Sequence, residues 1–183
     1  MTFDKTVTLK DGRTCLLRNG IASDGQAVLD VFNLTHEETD YLLTYADENS
    51  FTVSQEGDFL QRQTDSANAV EIIAVVDGVV SGTAGIDALG MRDKIKHRAV
   101  FGIAITKEFW GLGIGKYLME ACIECAREAG YLQLELEVVA ENKSAVEMYK
   151  RAGFIEYGRN PKAFRLRTGE YQELIDMRLE LRP

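Results

Sequence analysis

A glycine-rich turn between an apolar strand and an amphipathic helix constrains the fold of this chain more than any other segment. Residues 100–105 are an apolar run, the turn carries Gly111, Gly113 and Gly115, and a helical pattern extends from 113 to 129. Glycine lets a backbone approach a ligand without a Cβ clash, and the free N–H groups of a helix's first turn attract an anion. The segment therefore predicts a phosphate-binding loop, and with it a protein that holds a phosphorylated cofactor.

The spacing of these glycines excludes two common phosphate-binding motifs. A P-loop needs a glycine five positions before Gly-Lys, and the residue five positions before Gly115 is Trp110. A dinucleotide fingerprint, G-x-G-x-x-G, needs its third glycine at Lys116 or at Leu118, depending on where it starts. Neither motif is therefore present in this turn.

The turn resembles the acyl-CoA pyrophosphate loop of the GNAT superfamily of N-acetyltransferases, whose pattern is Gln/Arg-x-x-Gly-x-Gly/Ala. The pattern aligns with residues 110–115, where Trp110 replaces the polar first residue. A second GNAT pattern, Asn-x-x-Ala-x-x-x-Tyr-x-x-x-Gly-Phe, matches residues 142–154. Two patterns in order, one helix and one strand apart, are more specific than either alone. They cover residues 100–154, and the first 70 residues carry little family signal.

The resemblance implies a role for each matching residue. It implies that acetyl-CoA is the cosubstrate and that backbone N–H groups of the loop bind its pyrophosphate. It also implies that backbone groups of the preceding strand bind the pantetheine arm and polarise the thioester, that Asn142 contacts the pantetheine or acyl region, and that Tyr149 protonates the departing thiolate. The implied cofactor-binding residues are Ile103, Ala104, Ile105, Gly111, Gly113, Gly115, Lys116 and Asn142.

Each of these residues also has a purely structural interpretation. The glycines suit a tight turn into a helix, and residues 103–105 suit a buried strand. Asn142 suits an ordinary helix N-cap, and Tyr149 suits a core tyrosine whose hydroxyl is satisfied. From the residues alone both interpretations stay open.

The general base that would deprotonate the amine is not identified by the sequence. The candidates are Glu37, Glu38, Asp87, His97, Glu135 and Glu137. Each is also explained as a solvated surface residue, and many GNAT enzymes remove this proton through water. The residue that accepts the proton therefore stays open.

Charge is unevenly distributed along this chain of 183 residues and net charge −8. Between Asn19 and Met91 the only basic residue is Arg62, against 13 acidic residues. Nucleic-acid binding needs a basic stripe, so the composition argues against it. The acidic half is explained either as a solvated face that aids solubility or as a field that favours a cationic amine acceptor.

Length and cysteine usage bound the class of protein. The length predicts one GNAT acetyltransferase domain over residues 1–183. A polar N-terminus and the lack of any apolar run near 20 residues predict a cytoplasmic protein without a membrane partner. Cys15, Cys122 and Cys125 are too few for a disulfide framework, and Cys122 and Cys125 lie within a helical pattern. We expect them in the core, and we expect no metal site.

The order of patterns, β β α α β β β α β α β β, predicts an α+β fold. It fits a mixed, mostly antiparallel GNAT-type sheet flanked by helices, with a central βαβ acyl-CoA site. In the early region, Ser23 or Asp24 can cap a first helix, and Thr35 or Glu37 opens a second through Tyr45. A further short helix is expected over 56–64.

Three functions fit these observations. The leading hypothesis is an N-acetyltransferase that moves an acetyl group from acetyl-CoA to a primary amine of a small molecule, by direct attack in a ternary complex. The second keeps the chemistry but makes the acceptor a protein N-terminus or lysine. The third is a non-catalytic acyl-CoA-binding regulatory module. A homodimer is an open alternative to a monomer for each of them.

Overall fold

The computed structural model describes residues 1–181, and its elements follow the predicted order. The strands are β1 (Asp4–Thr8), β2 (Thr14–Asn19), β3 (Val70–Val76), β4 (Val79–Ala88), β5 (Arg98–Ile105), β6 (Gln133–Val139), β7 (Ile155–Arg165) and β8 (Tyr171–Glu180). The helices are α1 (Gly25–Glu38), α2 (Val53–Asp65), α3 (Ile114–Glu128) and α4 (Lys143–Arg151). The predicted α+β fold class is confirmed.

The strands form one mixed sheet in the order β1-β2-β3-β4-β5-β6-β8-β7. Every neighbouring pair is antiparallel except β5 and β6, which α3 connects as a βαβ unit. This parallel pair is short, because β5 pairs with β6 only from Arg98 to Val100. Beyond Val100 the two strands separate, with β5 paired only to β4 and β6 only to β8. The sheet therefore has a gap at its centre.

The two faces of the sheet carry different helices. Side chains of a strand alternate between faces, and one set packs with α3 and α4 into the larger buried cluster, which includes Ile72, Ala84 and Phe101. The opposite set packs under α1 and α2, where Val28, Leu60 and Ile73 form a smaller cluster. We call these the α3 face and the α1/α2 face.

Helix α3 is amphipathic, as its pattern predicts. Its buried residues include Leu118, Cys122 and Cys125, while charged residues face solvent. The helix ends at Gly130, where φ is +80° and the N–H of Tyr131 donates to the carbonyl of Ala126, a Schellman-type end that favours glycine. The cysteines are buried and unpaired, so the prediction that they pack in the core is confirmed.

The early helical region differs from the sequence prediction in two places. No second helix opens at Thr35 or Glu37; α1 continues to Glu38 instead, and residues 39–45 form turns. Thr35 is buried inside α1 on the stripe begun by Val28 and Val31, so the apolar period continues through the predicted start. Helix α2 begins three residues earlier than expected. The signal for that start is present in the sequence, since Thr52 and Gln55 form a capping box.

Within residues 1–181, no helix is both long enough and apolar enough to span a membrane.

Candidate active site

The gap between β5 and β6 leaves main-chain polar groups of β5 without a neighbouring strand. Thr106 N–H donates to Ser81 on the β4 side, and the carbonyl of Arg98 accepts from Leu89 on the same side. Backbone groups of a strand alternate in direction, so the even-numbered residues of β5 face β4. The odd-numbered residues, Phe101, Ile103 and Ile105, therefore direct their N–H and C=O groups into the gap.

This alternation separates the three β5 residues that the sequence grouped together. Ala104 lies opposite Thr83, and its main-chain groups face β4. The carbonyl of Ile105 accepts a hydrogen bond of 2.7 Å from the indole N–H of Trp110. The main chain of Ile103 and the N–H of Ile105 are therefore the groups that can meet a ligand in the gap.

The glycine-rich loop follows the end of β5 that borders the gap, and it leads into the first turn of α3. Gly111 and Gly113 have φ values of +78° and +99°, a conformation that L side chains rarely adopt. Gly113 is the N-cap of α3, and its carbonyl accepts from the N–H of Tyr117. Within residues 1–181, the N–H groups of residues 114–116 have no backbone acceptor, which leaves the first turn of α3 free to bind an anion.

Close packing explains the third glycine of the loop. A Cβ at Gly115 would lie 3.1 Å from the sulfur of Met148 and 3.3 Å from Cδ1 of Ile105. Gly115 therefore lets the first turn of α3 approach both α4 and the end of β5. The side chain of Lys116 points away, is 63% exposed and pairs with Glu120 at 3.7 Å, so only its N–H contributes to the free first turn.

Lys10, in the turn between β1 and β2, lies beside this loop. The N–H of Lys10 donates to the carbonyl of Leu112, and the aliphatic part of the Lys10 side chain lies about 4.0 Å from the position a Cβ on Gly113 would take. The hairpin is held there by a second contact, because the hydroxyl of Tyr117 donates to the carbonyl of Thr8. A cation therefore adjoins the free N–H groups of the loop.

Asn142 is the N-cap of α4, as its structural interpretation predicts. Its Oδ1 accepts from the N–H of Ala145 at 3.3 Å and from the hydroxyl of Ser144 at 3.1 Å. The carboxamide oxygen is thus occupied, and the amide nitrogen is the group left to contact a ligand.

Tyr149 lies over the point where β5 and β6 separate. Its ring packs edge-on against Phe101, the first β5 residue beyond the parallel pairing, with centroids 6.1 Å apart, and it also contacts Phe154. The side chain is buried at 5% exposure, and within residues 1–181 no hydrogen bond contributes to the pKa of its hydroxyl. Burial raises the pKa of Tyr149 above its usual value, so the phenol keeps its proton at neutral pH.

Two of the candidate bases are engaged by other residues, and a third lies far from the glycine loop. Glu38 accepts from the N–H of Lys107 at 2.7 Å. Glu135 forms a two-pronged ion pair with Arg98 at the start of β5. His97 lies beside that pair, at the end of β5 opposite the glycine loop. Sequence spacing alone could not reveal these contacts, because each joins residues far apart in the chain.

The remaining acidic candidates differ in their position relative to the gap. Asp87 accepts two hydrogen bonds from the amide of Gln63 in α2. Glu37 is exposed on α1. Glu137 is exposed on β6 beyond the parallel pairing, on the α1/α2 face, and lies directly opposite Asp176 of β8. Glu137 and Asp176 are therefore two like charges side by side at the gap.

A groove lies between the segment that follows α1 and the β7–β8 hairpin. Residues 39–45, between α1 and α2, form one wall, and residues 163–166 of the β7–β8 hairpin form the other. Arg167 joins the walls, because its guanidinium lies 4.1 Å from the ring centroid of Tyr45 and pairs with Asp47 at 2.7 Å. Arg165 lines the groove itself.

Two residues of the site were not among the sequence candidates. Lys10 carries no periodic or motif signal, and only the tertiary contact with Leu112 brings it to the loop. Glu71 is the second residue of the otherwise apolar strand β3, and an acidic residue within a buried strand is a signal that sequence reasoning can use.

A mixed sheet that separates at its only parallel pair, beside a glycine loop at a helix N-terminus, defines an N-acetyltransferase fold. The Acetyltransferase (GNAT) family profile matches residues 31–154. The chain therefore belongs to the GNAT acetyltransferase family, and the expectation that it is an acyltransferase of this family is confirmed.

Individual relatives agree with this membership. L-amino acid N-acetyltransferase AaaT of Escherichia coli strain K12 is 32% identical over 118 residues, which are 64% of this chain and 72% of AaaT. A GNAT-family acetyltransferase from Streptococcus pneumoniae superposes with a TM-score of 0.86 at 27% identity, over 91% of this chain and 99% of that one. A phosphinothricin acetyltransferase from Sinorhizobium meliloti, solved with acetyl-CoA, shares the fold at a TM-score of 0.80 and 18% identity, over 96% and 89% of the two chains.

Proposed function

We propose that the protein transfers an acetyl group from acetyl-CoA to a primary amine of a small molecule, by direct attack in a ternary complex. The observation that carries this proposal is the gap between β5 and β6, which opens beside the free N–H groups of α3. Support for acetyl-CoA comes from the acetyl-CoA complex of the Sinorhizobium meliloti enzyme, which has the same fold.

The residues present fit acetyl-CoA. The pyrophosphate is an anion, and the first turn of α3 offers N–H groups where Gly111 and Gly113 have no side chain to fill the approach. Lys10 supplies a positive charge beside the same loop. The pantetheine arm contains amides, which pair with the main chain of Ile103 and Ile105 as a further strand would, and with the side-chain nitrogen of Asn142.

Tyr149 is the proton donor to the leaving thiolate. Its phenol stays protonated at neutral pH, and no hydrogen bond within the described part of the chain contributes to its pKa, so it is available to the sulfur. Its ring lies on the α3 face of the gap, the face on which the glycine loop also lies. The loop and Tyr149 therefore lie on one side of the sheet, and the proposal assigns the sulfur to the same side.

The acceptor enters from the α1/α2 face, and we propose that it carries positive charge. Glu137 and Asp176 lie side by side at the gap on that face. Neighbouring like charges destabilise a sheet, and a cationic acceptor would relieve their repulsion. These two carboxylates belong to β6 and β8, so they act in addition to the acidic region between Asn19 and Met91.

An amino acid is a second candidate acceptor. The 32% identical relative AaaT is named as an L-amino acid N-acetyltransferase. Arg165 in the groove offers a cation for an α-carboxylate. A protein acceptor and a non-catalytic acyl-CoA-binding module stay as further alternatives. A cytoplasmic location and a single domain over 1–183 are part of the proposal, and a homodimer stays an open alternative to a monomer.

The test is release of CoA from acetyl-CoA over a panel of polyamines, aminoglycosides, L-amino acids and short peptides, with an enzyme-only blank. Turnover of polyamines supports the cationic acceptor, and turnover of amino acids supports the second candidate. Turnover of peptides alone contradicts the small-molecule proposal. No turnover with any acceptor, despite acetyl-CoA binding measured by calorimetry, favours the non-catalytic module.

A further inference from the structure

A row of three residues crosses the α1/α2 face of the sheet towards the gap. Glu71 of β3 lies opposite Gly85 of β4, and Gly85 lies opposite Gly102 of β5. Side chains directly across neighbouring strands share one face of the sheet. The row therefore places one carboxylate and two glycines in line, and the second glycine lies on β5 where the strand borders the gap.

Because the two glycines have no side chains, the surface above Gly85 and Gly102 is a shallow depression, which we call the trough. A Cβ on Gly85 would lie 2.0 Å from Oε2 of Glu71, so the carboxylate extends over Gly85 towards β5. A Cβ on Gly102 would meet no atom within 4 Å, and Gly102 is exposed. Because strands are about 4.8 Å apart, a ligand above Gly102 lies within direct or one-water reach of the carboxylate.

The surroundings of Glu71 favour its protonated form. The charged groups that face it are Asp87 of β4 and Glu56 of α2, both acidic, and no Lys or Arg contributes to its pKa. Glu56 is itself buried at 9% exposure, and burial raises its pKa. From the other face of the sheet, Cys122 of α3 lies close enough for the two groups to interact electrostatically.

Burial and these acidic neighbours raise the pKa of Glu71 to about 7, and contact with the Thr83 hydroxyl opposes the rise. The residues that helix α1 buries on this face, among them Val28 and Val31, are uncharged. A carboxylate with a pKa near neutrality is suited to taking up and releasing protons.

We propose that Glu71 is the general base of the acetyl transfer, accepting a proton from the acceptor's ammonium group above Gly102, directly or through one water. This inference rests on the proposed function and names a residue that the sequence did not single out as a base. It also places the two proton-handling groups on opposite faces of the gap, with Glu71 on the acceptor side and Tyr149 on the sulfur side.

The proton balance assigns each group one step. The Glu71 carboxylate takes one proton from the ammonium group and leaves a neutral amine. The amine nitrogen then forms a C–N bond to the thioester carbonyl carbon as the C–S bond breaks. Tyr149 gives its proton to the thiolate and regains one from the nitrogen, and Glu71 releases its proton to solvent.

The decisive experiment is the pH dependence of kcat and kcat/KM for Glu71→Gln, with the acceptor found in the panel. For the wild type we expect kcat/KM, which reports groups of the free enzyme, to rise through an inflection near pH 7. We expect Glu71→Gln to lower kcat by about 100-fold at neutral pH and to abolish this inflection. Glu71→Asp, which is one methylene shorter, should keep the inflection at a reduced rate. Glu128→Gln, an exposed acid on α3, is the matched control and should change neither.

Gly102→Ala tests the trough without touching Glu71. The added methyl meets no atom within 4 Å, so folding should be unaffected, yet the methyl occupies the space between the carboxylate and the gap. We expect a lower kcat/KM for the amine and an unchanged dissociation constant for acetyl-CoA. The proposal is overturned if Glu71→Gln keeps kcat within about twofold of wild type across pH 6 to 9.

A second measurement needs no acceptor. Folded Glu71 keeps its proton to about pH 7, whereas its ordinary pKa is 4.5. Stability therefore falls as pH rises between these two values, and Glu71→Gln removes that fall. The Tm of Glu71→Gln should therefore increase relative to the Tm of the wild type as the pH rises from 4.5 to 7.5. If the difference in Tm between Glu71→Gln and the wild type does not change with pH, the pKa of Glu71 is not raised and the proposal is overturned. Absence of any turnover by the wild type would instead contradict the proposed function.

Discussion

The loop that opens α3 and the acceptor side under α1 and α2 are built on different principles. The loop acts through main-chain groups, namely the free N–H groups at residues 114–116, and its side chains make room or pack elsewhere. The acceptor side acts through side chains, and its carboxylates come from β3, β6 and β8. A main-chain site depends on a local glycine pattern, whereas a side-chain site depends on which strands the fold makes neighbours.

Among the variants that distinguish the two regions, we expect Gly113→Asp to have the largest effect, a loss of acetyl-CoA affinity. Asp adds a side chain at a φ of +99° and a negative charge at the proposed pyrophosphate position. Two like unit charges 4 Å apart near a protein surface repel each other by about 4 kcal/mol, so acetyl-CoA affinity should fall by at least about 100-fold.

Calorimetric titration with acetyl-CoA measures this loss. Gly130→Asp is the control, because Gly130 also has a positive φ and an open Cβ position but lies at the other end of α3. Retained binding by Gly113→Asp would place the pyrophosphate elsewhere.

Tyr149→Phe should separate binding from catalysis. We expect kcat to fall by about 100-fold, because the proton donor to the thiolate is lost, while acetyl-CoA affinity stays near wild type. The Tm should not fall, since within residues 1–181 no hydrogen bond contributes to the pKa of the hydroxyl. Steady-state kinetics and thermal unfolding measure both, and an unchanged kcat would remove Tyr149 from the mechanism.

Glu137→Gln tests the acceptor side alone. Removing one of the two opposed charges should raise KM for a cationic amine severalfold and leave acetyl-CoA affinity unchanged. It should also stabilise the fold by about 0.5 kcal/mol, because Asp176 lies directly opposite. The same variant assayed with a neutral amine is the control. A KM that rises equally for both amines would contradict a role for charge.

Lys10→Ala should give the smallest effect. Lys10 is a surface cation beside the loop, and salt screens such charges, so we expect acetyl-CoA affinity to fall about threefold at low salt and less at 0.5 M salt. Lys5→Ala, on the exposed strand β1, should have no effect. A loss that does not depend on salt would indicate that the side chain acts through the packing of the hairpin.

Local patterns predicted the fold well and the early helices less well. Strand alternation, the helical period of α3 and the glycine turns led to the observed order of elements, because each depends on neighbours within a few residues. The start of α2 was missed although Thr52 and Gln55 signal it. The break expected at Thr35 was wrong because burial on the sheet continues α1 through a weak helix former.

The sequence by itself determined the family, the order of the elements, the glycine-rich turn that begins α3 and the capping role of Asn142. Each of these is a pattern of residues close together in the chain. Only the tertiary structure decided that Glu38 and Glu135 are engaged by distant partners, that Lys10 adjoins the loop, and that Glu71 faces Gly102 across Gly85. Those relations depend on strand register and on where the sheet separates, and both are set by packing between residues far apart in sequence.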